Sequence, residues 1–414
     1  MLRGLLEYDR KLIQDMEENQ EKGTSFFHLL MISTFIYVAT ALYTPFMSMY
    51  YTQHGISSTE IGILGLFSCL SALVIQPLWA KRADDTGKAK TYAVIILIGV
   101  ILALQTYYLG NSFWNFALSA FLLAIFSTSI VPMLDAIVIR NADKKRYNYA
   151  YIRLGGTIGF AIVVLVVGRF LKLKPALSFA LAGGAYLILL IIVLLLPRSE
   201  NHLPKPEGIA RKIDFLAIFR LKEIFKDPAI IYIFIFAFLV TLGLYFNMFL
   251  PVYAANLGMG QDAIGIIQCV SALSEVPVLL IIRKMTKKLG ALRVVALAGM
   301  LSGVKLFIAS FGSMPMFIIS AAMNGVTYMT MYFASTQFIY RTIRKGRDSE
   351  GQSAFCLVQT GLGAILGSTV GGVIIDLIGV RESYILFSAI VFFASLALAI
   401  PVFIRIRQGK LTAN

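Results

Sequence analysis

The sequence predicts an all-α membrane protein with twelve transmembrane helices in two pseudo-symmetric six-helix bundles. Of its 414 residues 58%, or about 240, are hydrophobic, and only 14% are charged. Twelve spans of about 20 apolar residues would use that number, whereas an ordinary soluble domain carries about 25% charged residues. The spacing of the apolar runs and an internal repeat point to the same fold.

Apolar runs divide the chain into two sets of six. The first set lies at about 26–50, 59–80, 91–110, 113–139, 149–171 and 176–196, and the second at about 229–254, 262–282, 291–311, 315–340, 352–378 and 383–404. We expect six-helix bundles at 26–197 and 229–406, joined by a cytoplasmic linker at 198–228. The cytoplasmic segment at 1–25 has the spacing of an amphipathic helix on the membrane surface, with a disordered tail as the alternative. We expect residues 407–414 to form a cytoplasmic tail.

The lysine and arginine residues indicate the orientation of the spans. Of the 37 in the chain, 31 fall at the termini and in the alternate connections that share their side, and 4 fall on the opposite side. Because basic loops stay in the cytoplasm, we expect a multi-pass protein of the cell (inner) membrane with both termini cytoplasmic. The net charge of +15 sits in these short connections. No long basic run or nucleic-acid-binding module accompanies it, so no nucleic-acid partner is expected.

The two halves resemble each other at a fixed offset of 203 residues. The matches cover equivalent spans and the connection after them, without a gap: Tyr50 with Tyr253, Gly55 with Gly258, Ile61-Gly62 with Ile264-Gly265, Ser68 with Ser271, Lys81 with Lys284, and Gly87 with Gly290. Parallel six-helix repeats are typical of transporters whose halves rock around a site near the bilayer midplane.

Four charged residues lie inside the predicted spans and away from their ends: Asp135, Arg153, Glu275 and Lys305. Each ionised group at mid-membrane costs about 2.5–3.5 kcal/mol on insertion scales, so these residues must pair, face water or lose their charge. The helical rise places Asp135 and Arg153 level on neighbouring helices, but leaves Glu275 and Lys305 about 9 Å apart in depth. The first pair is therefore expected, and the second is left open. Static pairs that only fix helix packing are the alternative to a functional role.

The stretch from Pro77 to Gly87 resembles the signature of the major facilitator superfamily between its second and third helices. Asp84 and Gly87 match the pattern, and Asp85 stands where an arginine is usual. The resemblance implies a two-bundle transporter fold, with Asp84 and Gly87 in a loop motif that takes part in conformational change.

The fourth and fifth spans carry a more specific pattern. Asp135 and Arg153 are separated by 18 residues, and Gly155-Gly156 follows the arginine. This pattern resembles the lactose permease and oligosaccharide–proton symporter branch of the superfamily, in which an acid and an arginine at this separation hold the sugar. The resemblance implies that Asp135 and Arg153 bind substrate. It places Phe160 where lactose permease has a tryptophan that stacks on the sugar ring.

The second half resembles this branch less completely. Lys305 falls on a buried arginine of the ninth helix, and Glu275 lies about one turn from the glutamate of helix eight. In helix ten, Asn324 and Tyr328 occupy the region where the permease has a histidine and a proton-carrying glutamate. The resemblance therefore leaves proton coupling to Glu275, Lys305 and Asp135.

These observations predict a secondary active transporter that couples protons to symport of a small hydroxylated solute, a sugar or oligosaccharide, by alternating access. We expect Glu275 to carry the proton and Lys305 to return Glu275 to its ionised state. Asn324, Tyr328 and Gln359 are expected to hydrogen-bond the substrate, or else to join helices. The expected partners are a small-molecule substrate, protons and the lipid bilayer, and the chain is expected to act as a monomer. No cofactor is expected, because the proton gradient is the driving force.

The alternatives are a nucleoside or aromatic-acid proton symporter and, third, a drug efflux antiporter. A channel or a ligand-sensing receptor on the same scaffold belongs to a different class, and a flux assay separates both from a transporter. The histidines His28, His54 and His202 lie at span ends or in the linker, so no metal site is expected. An enzyme is not expected, because the chain has no P-loop, HExxH motif or nucleophile elbow.

Overall fold

A computed structural model of the chain describes residues 24–171, 174–196, 228–342, 355–409 and 411. The predicted N-terminal helix or tail and the linker at 198–228 lie almost wholly outside these residues. The described part is all-helical, as predicted. Its helices are α1 (Phe26–Gln53), α2 (Ser58–Thr86), α3 (Ala89–Tyr108), α4 (Phe113–Lys144), α5 (Tyr149–Leu171), α6 (Leu177–Leu194), α7 (Pro228–Asn256), α8 (Gln261–Leu289), α9 (Ala291–Ala309), α10 (Met314–Ala322, Gly325–Met329 and Thr330–Thr342), α11 (Leu357–Ile378) and α12 (Val380–Arg407).

Eleven of these helices, all except α10, are each long and apolar enough to cross a membrane within the described residues. α10 is divided by a π-helical segment at Gly325–Met329, in which the hydrogen bonds span one residue more than in an α-helix. α11 contains two such segments, Leu357–Gly363 and Leu366–Val370. The twelve predicted spans are therefore present, but α10 and α11 are not regular helices.

Several predicted spans ended too early in the sequence. α2 was expected to end near residue 80 and continues to Thr86, so Asp84 lies in its last helical turns and not in a loop. Gly87 ends the helix in the left-handed conformation, with φ of 65°. Hydropathy marks where the chain leaves the apolar layer, whereas the helix itself continues until its cap. The same reason explains why α8 extends beyond residue 282 to Leu289.

The internal repeat is visible in the packing of equivalent aromatic residues. Tyr50 at the end of α1 and Tyr253 at the end of α7 are equivalent in the 203-residue offset. Tyr50 contacts the rings of Phe116 in α4 and Phe179 in α6. Tyr253 contacts the rings of Phe317 in α10 and Tyr384 in α12, the equivalent helices of the second half. The ring centroids in these four contacts are 5.0–5.8 Å apart. The two bundles are thus built on the same plan.

The two halves meet where α5 packs on α8 and α2 packs on α11. We call the side that carries the α2–α3, α4–α5 and α8–α9 connections the basic side, and the other the far side. The repeat-related glycines Gly62 and Gly265 make the closest approaches, near the far side. A Cβ at Gly265 would lie 2.6 Å from the Val164 carbonyl oxygen of α5, and one at Gly62 would clash with the Ser368 carbonyl of α11. Glycine at both positions lets the halves close on the far side.

A carboxylate also joins the halves on the far side. Asp376 of α11 accepts hydrogen bonds from the backbone N–H groups of Ser58, at 3.0 Å, and Thr59, at 2.7 Å, in the first turn of α2. The next N–H group, that of Glu60, donates to the Ser57 hydroxyl, and the Glu60 carboxylate accepts from the Ser57 N–H at 2.8 Å. The first turn of a helix has no intrahelical acceptors for these N–H groups, so the second half of the chain completes the cap of α2.

Candidate substrate and proton site

The N-terminal half contributes an acid and a base that face each other. Arg153 Nη1 lies 3.9 Å from Asp135 Oδ2, and the two side chains are 40% and 18% exposed. This distance is longer than a hydrogen bond of about 2.7–3.2 Å. Arg153 Nη1 and Asp135 Oδ1 are buried without a hydrogen-bond partner. The pair is level, as the depth calculation predicted, but leaves a donor and an acceptor unused.

Two tyrosines complete this part of the site. The Tyr149 hydroxyl lies next to the Asp135 carboxylate. On the other side, the Arg153 guanidinium carbon lies 4.1 Å from the centroid of the Tyr37 ring of α1, a cation–π contact. Gly156 of α5 makes room for this ring, because a Cβ there would collide with it. Neither tyrosine was predicted from the sequence; the signal for Tyr37 was the pair of glycines after Arg153.

The C-terminal half contributes a second acid and base, bridged by an amide. Lys305 of α9 is buried, with 4% of its surface exposed. Its ammonium group donates to Asn324 Oδ1 at 2.8 Å, and Asn324 Nδ2 donates to Glu275 Oε1 of α8 at 3.1 Å. The structure therefore places Asn324 between the proposed proton carrier and its base. The axial gap predicted between Glu275 and Lys305 is spanned by this amide.

The irregular backbone of α10 accounts for the position of Asn324. The π-helical segment begins at the next residue, Gly325, whose N–H donates to the Ser274 hydroxyl of α8 at 3.0 Å. A Cβ at Gly325 would clash with the Ser274 carbonyl, so glycine lets α10 lie directly against α8. π-helical segments are frequent at functional sites.

The two acid–base groups lie on helices that pack together where the halves meet, Arg153 on α5 and Glu275 on α8. Glu275 is within electrostatic reach of both Arg153 and Lys305. The site thus joins α4, α5, α8, α9 and α10, and its formal charges sum to zero. Among the described residues, no group of three or more histidine, cysteine, aspartate or glutamate side chains is placed to hold a metal ion.

The remaining predicted residues lie in several places. Gln359 Nε2 of α11 donates to the Tyr328 hydroxyl at 3.4 Å, and the Tyr328 ring stacks on Tyr332. Phe160 is half-buried against the apolar core. Asp84 lines a separate cavity of about 240 Å³ between α2 and α4, and its lining includes none of the four charged residues of the site.

Comparison with known proteins identifies the family. The MFS_1 like family matches residues 27–386. The chain is 27% identical to the uncharacterized transporter YwbF of Bacillus subtilis, over 85% of this chain and 87% of that protein. It is 24% identical to a maltose permease of Geobacillus stearothermophilus, over 85% and 88%.

Among solved structures, a point mutant of the nucleoside transporter NupG has the same fold. Its TM-score is 0.80, with 18% identity over 90% of this chain and 99% of that one. The predicted resemblance to the major facilitator superfamily and its oligosaccharide permeases is confirmed by the family match and by the maltose permease relative. The prediction that the chain is not an enzyme is confirmed as well, because the family and the relatives are transporters. The chain belongs to the MFS_1 like family, and it is a multi-pass membrane transporter of the major facilitator type.

Proposed function

We propose that the protein is a proton-coupled symporter of a small hydroxylated solute, most closely a sugar or oligosaccharide, that works by alternating access. One observation carries the proposal. An acid–base pair from one half, Asp135 with Arg153, lies within electrostatic reach of an acid–base group from the other, Glu275 bridged by Asn324 to the buried Lys305. A site of this composition at the junction of two rocking halves can bind a polar solute and hold a proton.

The arrangement suggests that the N-terminal half binds the solute and the C-terminal half carries the proton. The planar guanidinium of Arg153 can donate two bonds to neighbouring hydroxyl groups, and the free oxygen of Asp135 can accept one. A solute bound there displaces water from the space next to Glu275, and loss of water favours the neutral carboxyl group. Glu275 then carries a proton through the transition. After release, Lys305, linked through Asn324, stabilises the ionised carboxylate again.

The neutral sum of the site's charges favours an uncharged solute. Sugars and nucleosides both meet this condition, whereas an aromatic acid brings a charge that the site does not balance. The maltose permease relative supports a sugar. A nucleoside is the second candidate, supported by the fold shared with a nucleoside transporter. Drug efflux ranks third, because four mutually neutralising charges do not favour an amphipathic cation.

The proposed orientation places the basic side in the cytoplasm of the cell (inner) membrane. The bias of 31 basic residues against 4 supports it. The halves are closed on the far side by Gly62, Gly265 and Asp376, and the Arg153 side chain is 40% exposed. Together these features support an arrangement in which the site opens to the cytoplasm.

The first test is a record of external pH in lightly buffered, de-energised cells that express the protein. Maltose, lactose, raffinose, uridine, adenosine and 4-hydroxybenzoate are added one at a time. Proton symport predicts prompt alkalinisation with one compound and none when Arg153 is replaced by Ala. Exchange of a radiolabelled compound with no pH change would instead mean uniport or coupling to another ion. No flux of any compound would contradict the proposed substrate class.

A second test assigns the proton. Glu275→Gln keeps the hydrogen bond from Asn324 but cannot ionise. We expect it to abolish gradient-driven accumulation of the transported compound while leaving equilibrium exchange. The matched control is Glu382→Gln, the same change at an exposed residue in the first turn of α12, which should leave accumulation intact. Accumulation by the Glu275→Gln variant would show that the proton binds elsewhere.

A further inference from the structure

We propose that Tyr37 is a specificity-determining residue of the substrate site, and that its hydroxyl hydrogen-bonds a substrate hydroxyl beside the group held by Asp135 and Arg153. The inference rests on the proposed function, and it extends the site to α1, which neither the sequence motifs nor the charged residues reach. Three features of the described residues around Tyr37 support it.

The first feature is that the position of Tyr37 is fixed by packing. Its ring lies over Gly156 of α5, where any Cβ would collide with it, and the Ser33 carbonyl of the same helix as Tyr37 also approaches that glycine closely. The Arg153 guanidinium covers the ring at 4.1 Å. Its ring is therefore held next to the Arg153 guanidinium. A ring held in this way loses little further freedom when it binds a ligand.

The second feature is that its hydroxyl is buried without a partner. Tyr37 Oη, Asp135 Oδ1 and Arg153 Nη1 all lie out of solvent and make no hydrogen bond to the described residues. Buried polar groups are almost always paired, so three unpaired atoms on three adjoining side chains indicate a place for a hydrogen-bonding ligand. The Ser33 hydroxyl, one turn before Tyr37 on α1, is buried and unpaired as well.

The third feature is the chemistry of the group. A guanidinium N–H only donates, a carboxylate oxygen only accepts, and a phenol does either. A hydroxyl group on the solute also does both, so neighbouring hydroxyls can satisfy all three protein atoms at once. An apolar ring makes no hydrogen bonds and an ammonium group only donates, so neither can do so. The set therefore selects a solute with adjacent hydroxyl groups, which sugars and ribonucleosides share.

The Tyr37→Phe variant tests the role of the hydroxyl, because it keeps the ring and its contact with Arg153. The probe is whichever of maltose, lactose, raffinose and uridine gives alkalinisation with the wild-type protein, together with its monodeoxy analogues. Equilibrium exchange is measured, since it does not depend on proton accumulation. We expect the half-saturation concentration for the parent compound to rise about threefold to tenfold, the range of one hydrogen bond. The wild-type preference for the parent over one particular deoxy analogue should disappear.

Three results would overturn the proposal. An unchanged half-saturation concentration would mean that the hydroxyl does not touch the substrate. An equal loss of affinity for the parent compound and every deoxy analogue would mean that the residue acts only through packing. The same loss of affinity in the Tyr151→Phe variant would mean the same. That control removes a phenol hydroxyl from an exposed tyrosine of α5, 65% accessible. If no compound moves through the wild-type protein, the proposed function fails before any Tyr37 variant is compared, so the two failures are distinguishable.

Discussion

The hydrogen bonds between Asp376 and the first turn of α2 are expected to stabilise the conformation in which the far side is closed. The Asp376 carboxylate in α11 accepts from two backbone N–H groups in α2, so both bonds exist only while the far side is closed. Replacing Asp376 with Ala removes them and leaves Ser58 and Thr59 to bond water. The change should therefore favour the conformation that is open on the far side.

The size of the effect follows from helix capping. Loss of a cap costs about 0.5–2 kcal/mol. Asp376 is exposed, so solvent screening places its contribution at the lower end, about 0.5–1 kcal/mol. That difference raises the ratio of far-side-open to far-side-closed protein about twofold to fivefold. Asp376→Asn keeps an acceptor oxygen without the charge, and should fall between Ala and wild type.

The assay is the rate at which a membrane-impermeant maleimide, added from outside, labels a cysteine at position 368. Ser368 is buried where α11 meets Gly62 of α2, and the three native cysteines are first replaced with serine. Asp376→Ala should raise the rate about twofold to fivefold. The control is Glu60→Ala, which removes a hydrogen bond from the same helix terminus but within one half, and should leave the rate unchanged. Equal rates in all variants, or equal acceleration by both, would refute the reasoning.

Three further predictions concern the site and the contact between the halves. Arg153→Lys should raise the half-saturation concentration for exchange about tenfold or more, because an ammonium cannot replace the planar fork; retained affinity would exclude a bidentate contact. Asn324→Leu leaves Lys305 buried without its hydrogen bond and should lower the free energy of unfolding by about 1–3 kcal/mol. Thermal unfolding in detergent measures this loss, and adding Lys305→Met should restore the stability. Gly265→Val should slow transport by forcing α5 and α8 apart, whereas Gly184→Val, where a Cβ meets nothing within 4 Å, should not; equal rates would contradict the close approach.

Regular periodicity accounts for what could be predicted from the sequence. The apolar runs gave the twelve spans, and the 203-residue offset gave the two halves, because both depend on composition over many residues. The level pairing of Asp135 with Arg153 followed from the rise per residue, since α4 and α5 are regular near them. The Arg153 side chain lies 3.9 Å from Asp135, as this geometry requires.

The bridge through Asn324 could not be predicted by the same means. The π-helical segment that starts at Gly325 shifts the face that α10 presents to α8, and a calculation that assumes about 3.6 residues per turn misplaces the residues around it. Tyr37 was missed for a different reason. It is one of 19 tyrosines in a chain rich in apolar runs. The glycines after Arg153 indicate that a neighbouring helix packs closely there, but they do not identify which residue of that helix fills the space.

The repeat also shows where the two halves differ, and the difference provides a test of how the far side opens. α8, the equivalent of α2, begins at an N-cap glycine, Gly260, without a side-chain cap. The 203-residue offset aligns Asp376 with Leu173 in the sequence, and a leucine side chain has no acceptor. Loss of Asp376 therefore acts directly on the α2–α11 contact alone.

A cysteine at position 261 reports on the other contact. Gln261 is 1% exposed where α8 meets α5, and its amide atoms have no hydrogen-bond partner among the described residues, so its replacement breaks no bond. If the halves move as rigid bodies, Asp376→Ala must accelerate labelling at positions 261 and 368 by the same factor, because one motion exposes both. Acceleration at position 368 alone would mean that only the first turn of α2 frays. The cap would then stabilise a helix end and would not bias alternating access.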